Sequence, residues 1–256
     1  MEILFLGTCA CDYSPKLKDE FKDKFDFDAR RSSCLLINGR VLVDCGDHTL
    51  DCLRIAKVNK SAVTDVVITH LHSDHFRAEN IEKLAYETKS KLRVWVREDA
   101  VVPSIKNVEI MRMKKKTEYE IYDGFKVTGL IANHDENAYP QHLYFEQDGK
   151  TFLYGCDGAW LIHETYKWLA DKKLTLYVLD GTCGNYEGDF RIAEHNLIPM
   201  IRLMLPSLKT IKAITDDTIL YISHLAPSLH KPHAETVELL KKDKINVAYD
   251  GLKITI

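Results

Sequence analysis

The chain has 256 residues, of which 45% are hydrophobic and 29% are charged, as in a globular protein that buries a core. Its formal net charge of −3 argues against a general affinity for nucleic acids or membranes, and no apolar run reaches the roughly 20 residues of a membrane span. Its seven scattered cysteines, an odd number, favour reduced thiols and a cytoplasmic location. The N-terminal MEILFLG contains an acidic residue and is predicted to be a first strand rather than a signal peptide.

The first half of the chain predicts strands in quick succession. The apolar runs are EILFLG, SCLLIN, RVLVDCG, DVVITH and LRVWV, and helices are predicted over residues 48–58 and 78–87. Asn38-Gly39 lies between two of these runs, and this pair is the signal of a two-residue hairpin. The charged segment 16–31 interrupts the series and is predicted to be a mobile surface insertion.

The second half adds more strands and then alternates strands with helices. Strand-like runs are VEIMRM, EYEIY, FKVTGLIA, QHLYFEQ and TFLYGC, with Asp148-Gly149 as a second hairpin signal. Helices over residues 162–171, 192–205 and 234–241 alternate with LTLYVLD, TILYIS and the closing runs NVAY and LKITI. Because no Pro-, Gly- or Ser-rich linker interrupts this order, residues 1–256 are predicted to form one α/β domain, a layered sandwich with helices on the outside.

The most distinctive stretch of the chain is THLHSDHF, residues 69–76. It places His70, His72, Asp74 and His75 within six positions, directly after the strand-like DVVI. Imidazole and carboxylate are metal ligands, and titratable groups crowded in this way gain little without a metal. The cluster also follows a strand end, where sites in sheet proteins are common. We therefore predict a metal site that begins in this loop.

Three further ligand-type residues follow strand-like runs in the same way. A single histidine after a strand is a weak signal, but two bridged ions need about three ligands each and one carboxylate between them. The chain meets that count with His70, His72 and His134 for one ion, Asp74, His75 and His224 for the other, and Asp157 between the two. The predicted cofactors are two divalent transition-metal ions, zinc or manganese first, with iron also compatible with these donors.

With these motifs the chain resembles the metallo-β-lactamase fold, an αββα sandwich of two central mixed sheets whose metal loops lie along one edge. The resemblance runs from FLGT through RRSS, LVDCG and THLHSDH to VAYDG. Within the fold, the chain is most similar to the cyclic phosphodiesterases of phosphonate breakdown, whose substrate is a phosphoribosyl 1,2-cyclic phosphate. It departs from that group at residues 16–28, which hold no cysteine where the group often carries a zinc-binding insertion, and at Ser223, where threonine is common.

The resemblance implies roles for two more residues. Asp44, in VLVDCG, has a family counterpart that hydrogen-bonds beneath the metal loop, and an ordinary strand-end aspartate bonded to a turn is the alternative. His195, in IAEHNLI, corresponds to a histidine near the metals and is the candidate general acid for a departing ribose oxygen. A helix-start histidine that faces solvent is the alternative for His195. The ligand Asp74 is counted with His195 as a candidate catalytic residue.

The other histidines and two arginines are weaker candidates. The histidines without a motif partner are His48, His142, His163, His230 and His233. The last two follow the final ligand closely and line either the entrance of the site or a solvated loop. Arg30 and Arg31 precede a strand, where they either reach a substrate phosphate or form structural ion pairs.

The predicted activity is hydrolysis of a small and, by resemblance, cyclic phosphodiester through a hydroxide that bridges two metal ions. One alternative is a tRNA 3′-processing endonuclease, although the longest basic run, Lys114-Lys115-Lys116, is short. Another is an iron-binding redox protein on the same fold, whose di-iron members resemble HxExDH, with a carboxylate where this chain has His72. The expected partner is a small-molecule substrate, with nucleic acid disfavoured, no membrane, and a homodimer left open.

Overall fold

The computed structural model describes residues 1–256, which form two seven-stranded β-sheets and five α-helices. The strands are β1 (Glu2–Gly7), β2 (Cys34–Ile37), β3 (Val41–Val43), β4 (Asp65–Val67), β5 (Leu92–Arg97), β6 (Val108–Met113), β7 (Glu118–Tyr122), β8 (Phe125–Ile131), β9 (Gln141–Gln147), β10 (Lys150–Gly155), β11 (Leu176–Asp180), β12 (Ile219–Ser223), β13 (Ile245–Val247) and β14 (Lys253–Thr255). The helices are α1 (Thr49–Ile55), α2 (Ala78–Glu87), α3 (His163–Trp168), α4 (Ile198–Thr210) and α5 (His233–Leu240).

Both sheets combine an antiparallel half with a parallel half. The first has the strand order β14-β1-β2-β3-β4-β5-β6, and its pairs change from antiparallel to parallel at β3. The second has the order β13-β12-β11-β10-β9-β8-β7 and changes at β10. As a result β8, β10, β11 and β12 run in the same direction, and their carboxyl ends meet at one edge of the second sheet.

The two sheets pack face to face, and the helices cover their outer faces. Twenty buried residues from both sheets, among them Phe5, Phe125 and Phe152, form the central cluster. A second cluster joins the outer face of the second sheet to α4 and α5, and a third joins the first sheet to α1 and α2. Because both faces of each sheet are covered, central strands such as β11 are buried at every position. The predicted αββα arrangement is confirmed.

Two tight hairpins fix the register of neighbouring strands. Asn38 and Gly39 have φ angles of 51° and 64°, and Asp148 and Gly149 have φ angles of 51° and 72°. Positive φ at both central residues matches the right-handed twist of the flanking strands, and Asn, Asp and Gly adopt it at low cost. Both hairpin predictions are confirmed.

One predicted helix, 192–205, is wrong at both ends. Residues Phe190–Ala193 form a short 3-10 turn, and α4 runs only from Ile198 to Thr210. Pro199 lies in the first turn of α4, where its fixed φ favours a helix start and its missing N–H costs nothing. The helix continues past Pro206 because its apolar face is packed against the second sheet.

No helix in the structure combines the length and apolar character needed to cross a membrane.

The charged segment 16–31 is anchored at both ends, which corrects the expectation of a loose surface insertion. Leu17 is buried, and Arg30 and Arg31 are only 3% and 2% exposed. In the middle of the segment, Asp23 pairs with Arg54 at 2.6 Å. Only the middle of the segment is a surface feature, since buried side chains tie its two ends to the protein.

Candidate metal centre

Ligand-type side chains gather where strands of both sheets end. The loop 70–75 follows β4 in the first sheet, and His134, Asp157 and His224 follow β8, β10 and β12 in the second. Because these three strands run in the same direction, their ends present the three side chains at one edge, against the loop after β4. The structure thus brings all seven sequence-predicted residues into two adjacent groups.

Three imidazoles form the first group. His70 Nε2 lies 3.0 Å from His72 Nδ1, and His134 Nε2 lies 3.1 Å from the same atom of His72. One nitrogen of each ring therefore points to a common centre, and potential ligand atoms of the three residues lie within 4.8 Å of one another. Three convergent imidazole nitrogens can hold a transition-metal ion with a coordination position left open.

The second group contains Asp74, His75, Asp157 and His224. His75 Nε2 lies 3.3 Å from His224 Nε2 and 3.3 Å from Asp74 Oδ2. Asp157 Oδ2 lies 2.9 Å from His75 Nε2 and 3.3 Å from His70 Nε2, so one carboxylate oxygen contacts both groups. A carboxylate shared by two ions requires such a placement.

The donor atoms of the two groups fit bound cations. All of the seven side chains except His72 are buried. Asp157 Oδ1 is buried and lies 2.7 Å from His224 Nδ1 without an aligned hydrogen bond, whereas buried polar atoms are normally satisfied. A divalent cation would satisfy these atoms, because it binds neutral imidazole and ionised carboxylate. The combination of nitrogen and oxygen donors suits zinc, manganese and iron alike.

Burial disfavours charge in both groups, and the second group offsets this penalty internally. Burial lowers the pKa of His224, but the carboxylates of Asp157 and Asp74 outweigh it and raise that pKa to about 10. Burial raises the pKa of Asp157, but His224 and His75 bring it well below its usual range. In the first group, burial and the neighbouring His75 lower the pKa of His70. Without a cation, protons on the histidines of the second group therefore offset the negative charge of its carboxylates. A bound cation would replace these protons.

A buried carboxylate contacts His75 from the side opposite the cluster. Asp44 Oδ2 lies 2.7 Å from His75 Nδ1, and Asp44 Oδ1 accepts a 2.7 Å hydrogen bond from the amide of Thr69. With Nδ1 engaged, Nε2 of His75 is directed toward the second group, as a metal ligand requires. Gly46 allows the loop to approach closely, because a Cβ at this position would lie 1.7 Å from the carbonyl oxygen of Asp74.

His195 lies beside the second group and is held by an aspartate that the sequence analysis missed. Its Nδ1 atom lies 2.9 Å from Asp180 Oδ2 and 3.1 Å from Thr182 Oγ1. Asp180 is fully buried and also accepts hydrogen bonds from the amides of Thr182 and Asn196. Burial lowers the pKa of His195, but the Asp180 carboxylate outweighs burial, so the pKa is raised. The missed signal was the aspartate that ends LTLYVLD, a strand-end position like that of Asp157.

Two carboxylates at the surface, the half-buried Asp135 and the exposed Glu194, lie beside the first group. Asp135 Oδ2 lies 3.4 Å from His72 Nε2, and Glu194 Oε2 lies 3.8 Å from His134 Nδ1. The His134 Nδ1 atom is buried and has no hydrogen-bond partner. Neither acid is predicted from the sequence, because a surface carboxylate carries no distinguishing pattern. They place two negative charges next to the donor atoms.

The remaining sequence candidates lie outside the two groups. His142 is buried, which lowers its pKa to about 4 and leaves it neutral. His48 packs edge-on against Tyr13, and His163 begins α3. Arg31 donates to backbone carbonyl oxygens of the segment 16–31 and forms no ion pair. A separate cavity is lined by Arg30, His230 and His233.

Known structures that resemble the chain share one fold. The metallo-β-lactamase fold protein YhfI from Bacillus subtilis has a TM-score of 0.73 at 14% identity, over 99% of this chain and 98% of that chain. A diphosphatase of the PhnP family has a TM-score of 0.72 at 17% identity, over 100% and 97% of the two chains. Unliganded yeast PDE1 has a TM-score of 0.69 at 12% identity, over 100% and 99%. The chain therefore has the metallo-β-lactamase fold.

Sequence similarity adds a narrower relationship. The family model for the anti-Pycsar protein Apyc1 matches residues 24–134, less than half of the chain. The matched segment includes Asp44, the loop 70–75 and His134. No curated protein matches the chain. Fold and geometry thus define a metallo-β-lactamase-fold protein with adjacent His/Asp groups of the kind that hold two metal ions.

Proposed function

We propose that this protein is a dinuclear metal-dependent phosphodiesterase that hydrolyses a small cyclic phosphodiester. The observation that carries the proposal is the position of Asp157 Oδ2, 3.3 Å from His70 Nε2 and 2.9 Å from His75 Nε2, between two groups of ligands. Paired sites of this kind suit displacement at phosphorus, where the attacking and the leaving oxygen both need stabilisation. The Apyc1 family match supports a small cyclic nucleotide as substrate.

Seven side chains would hold the ions in this proposal. They are His70, His72 and His134 for one ion, Asp74, His75 and His224 for the other, and Asp157 for both. When bound, such ions supply Lewis acidity to phosphoryl oxygens and lower the pKa of water. Two carboxylates orient ligand rings through the ring nitrogen that faces away from the metal site. Asp44 Oδ2 lies 2.7 Å from His75 Nδ1, and Asp135 Oδ2 lies 3.4 Å from His72 Nε2.

In this proposal His195 returns a proton to the leaving oxygen. Because its Nδ1 atom faces Asp180, its Nε2 atom is the one left for the substrate. The His195 side chain is 12% exposed, so a bound ligand can reach it. A sugar alkoxide departs slowly unless it is protonated, and imidazole suits this donation near neutral pH. Asp180 would hold the tautomer and stabilise the protonated ring.

The charge at the mouth of the site favours a small substrate over a nucleic acid. Asp135, which is half-buried, and Glu194, which is exposed, place carboxylates beside the first group. Arg191, from the same loop as Glu194, is held by Asp189 through hydrogen bonds of 2.8 and 3.0 Å. A long polyanion such as tRNA gains affinity from a basic surface that tracks its phosphates. A substrate with a single phosphate does not need such an extended basic surface.

The test is hydrolysis of a panel of cyclic and linear phosphodiesters by protein reconstituted with zinc or manganese. We expect cyclic nucleoside and sugar phosphates to be cleaved fastest, and Asp157→Ala to abolish the activity. Asp216→Asn is the matched control, because the side chain of Asp216 is 90% exposed and lies outside both groups. Failure of a preparation with two bound ions per chain to cleave any member of the panel would refute the proposal.

A further inference from the structure

A second cavity, outside the metal centre, is lined by basic side chains. It has a volume of about 260 Å³, and its lining includes Arg30, His230, Lys231 and His233. Asp28 is the one acidic residue of the lining, and none of the seven candidate metal ligands contributes to it. Three of the four basic residues are the ones for which the sequence analysis left two roles open, and the structure places them together.

Arg30 is a buried cation without a direct counter-ion. It is 3% exposed, and no carboxylate oxygen lies within 4.0 Å of its nitrogens. Nη1 donates to Thr8 Oγ1 at 2.7 Å and to the carbonyl oxygen of Ala248 at 2.5 Å, and Nη2 donates to His233 Nδ1 at 2.9 Å. Its charge is compensated only from a greater distance, by Asp250, which accepts a 2.8 Å hydrogen bond from Thr8, and by Asp28 and Asp26. Buried arginines are normally paired, so this charge calls for an anion.

The hydrogen bonds around the cavity leave two N–H groups of Arg30 free, whereas His230 Nε2 donates to the carbonyl oxygen of Gly181 at 2.6 Å. A guanidinium has five N–H groups, and the contacts of Arg30 use three of them. Because Arg30 can only donate, His233 Nδ1 accepts, and the proton of the neutral ring is on Nε2. Asp28 already accepts a 2.7 Å hydrogen bond from the amide of His233 at the start of α5. Lys231 adds an exposed ammonium group.

We propose that this cavity is a second anion site, which binds the phosphate group of a small phosphate monoester. A guanidinium and an ammonium are the preferred phosphate ligands of proteins, and Arg30 is fixed before the ligand arrives. An adjoining cavity of about 480 Å³ shares His230 and Lys231 and offers Tyr186 to the organic part of the ligand. The site does not depend on the proposed phosphodiesterase activity, because it uses none of the same residues.

Calorimetric titration of the metal-loaded protein with inorganic phosphate and with a nucleoside 5′-monophosphate tests this site. We expect two classes of phosphate binding in the wild type, one that disappears when the metals are removed and one that persists. At the persistent class, the monoester should bind more tightly than inorganic phosphate, because its organic part fills the adjoining cavity. Equal affinities for the monoester and for inorganic phosphate would contradict binding of the organic part in the adjoining cavity. A single class of phosphate binding, lost with the metals, would overturn the second anion site itself.

Substitutions identify the residues that form the persistent class. Lys231→Gln should weaken it about three- to tenfold, and Arg30→Gln should abolish it, with metal content and phosphodiesterase activity unchanged. Lys60→Gln is the matched control, since Lys60 pairs with Glu87 away from both cavities. Circular dichroism verifies the fold of Arg30→Gln. If that variant is unfolded, phosphate binding is measured instead with a Lys231→Gln, His233→Gln double variant, in which the persistent class should be lost. Wild-type affinity in Lys231→Gln and in the folded variant at Arg30 or His233 would overturn the proposal.

Discussion

The carboxylate of Asp180 lies 2.9 Å from Nδ1 of His195, although the two residues belong to different elements. Asp180 ends β11, and His195 lies in the segment before α4. The backbone amides of Thr182 and Asn196 hold Asp180 Oδ1 at 3.0 and 3.1 Å, so the carboxylate cannot turn away. The imidazole therefore has one defined orientation beside the metal centre, and Asp180 is a positioning residue.

Replacing Asp180 tests that positioning role. We expect Asp180→Asn to keep both metal ions and to hydrolyse substrates with alkoxide leaving groups about ten- to a hundredfold more slowly, because the amide can donate to Nδ1 and favour the wrong tautomer. The measurements are kcat and metal content, with Asp216→Asn as control. Joint loss of metal and activity would instead assign Asp180 to the support of His224, whose Nδ1 atom is 3.7 Å away.

Removing the imidazole of His195 tests the proton donation. His195→Ala should retain the metals and the fold and lose about 10²- to 10⁴-fold in rate on ribose-type leaving groups. The loss should shrink for a nitrophenyl ester, because that leaving group departs without a proton. Steady-state rates on the two substrate types provide the measurement. An equal loss on both would assign His195 to positioning of the phosphate.

The metal content tests the shared carboxylate. Elemental analysis of the reconstituted protein should find about two transition-metal ions per chain. Asp157→Ala should lose more metal than His72→Ala, since Asp157 contacts both groups and its charge offsets the mutual repulsion of two cations. Unchanged metal retention in Asp157→Ala would contradict the bridging role, and one ion or fewer in the wild type would contradict the dinuclear centre.

The hydrogen bond behind His75 should tune metal affinity. Asp44 Oδ2 lies 2.7 Å from His75 Nδ1, and such partners of ligating histidines typically contribute about 10- to 100-fold in metal affinity. We expect Asp44→Asn to weaken binding by this factor, measured by competition with a chromophoric chelator. Asp51→Asn, on the exposed face of α1, is the control. Equal affinity in the two variants would show that His75 is oriented by packing alone.

The pH dependence of stability should report on Asp250. Burial raises the pKa of this carboxyl group from 3.8 to about 6, despite Arg30 and the amide of Arg31. Between these two values the folded state binds more protons than the unfolded state, so this residue lowers stability as the pH rises through that window. Over the whole window the difference amounts to about 3 kcal/mol.

Denaturant unfolding of the wild type and of Asp250→Asn, at pH 4 and at pH 7, measures this effect. The variant lacks the titrating group, so its free energy of unfolding relative to the wild type should increase with pH. Other titrating groups cancel in that difference. A difference that is constant with pH, or that falls as the pH rises, would contradict a raised pKa at Asp250.

Local pattern in the sequence was enough for the fold and for the core of the candidate site. Alternating and continuous apolar runs predicted the strands, and Asn38-Gly39 and Asp148-Gly149 predicted the two hairpins, because backbone sterics act over a few residues. The spacing of the loop 70–75 identified it as a ligand cluster for the same reason. The start of α4 was missed, since a 3-10 turn and a helix have similar apolar spacing at this length.

Contacts between separate segments of the chain decided the rest. Asp180 carries the same strand-end signal as Asp157, yet its partner His195 is identified only when the end of β11 meets the segment before α4. For Arg30, the sequence was equally compatible with a structural ion pair and with a contact to a substrate phosphate. Its environment depends on Ala248 and His233, which lie more than 200 residues away. The sequence by itself determined which residue types stand at strand ends, and the tertiary structure decided which of them meet, because side-chain chemistry acts over a few ångströms and chain order does not determine those distances.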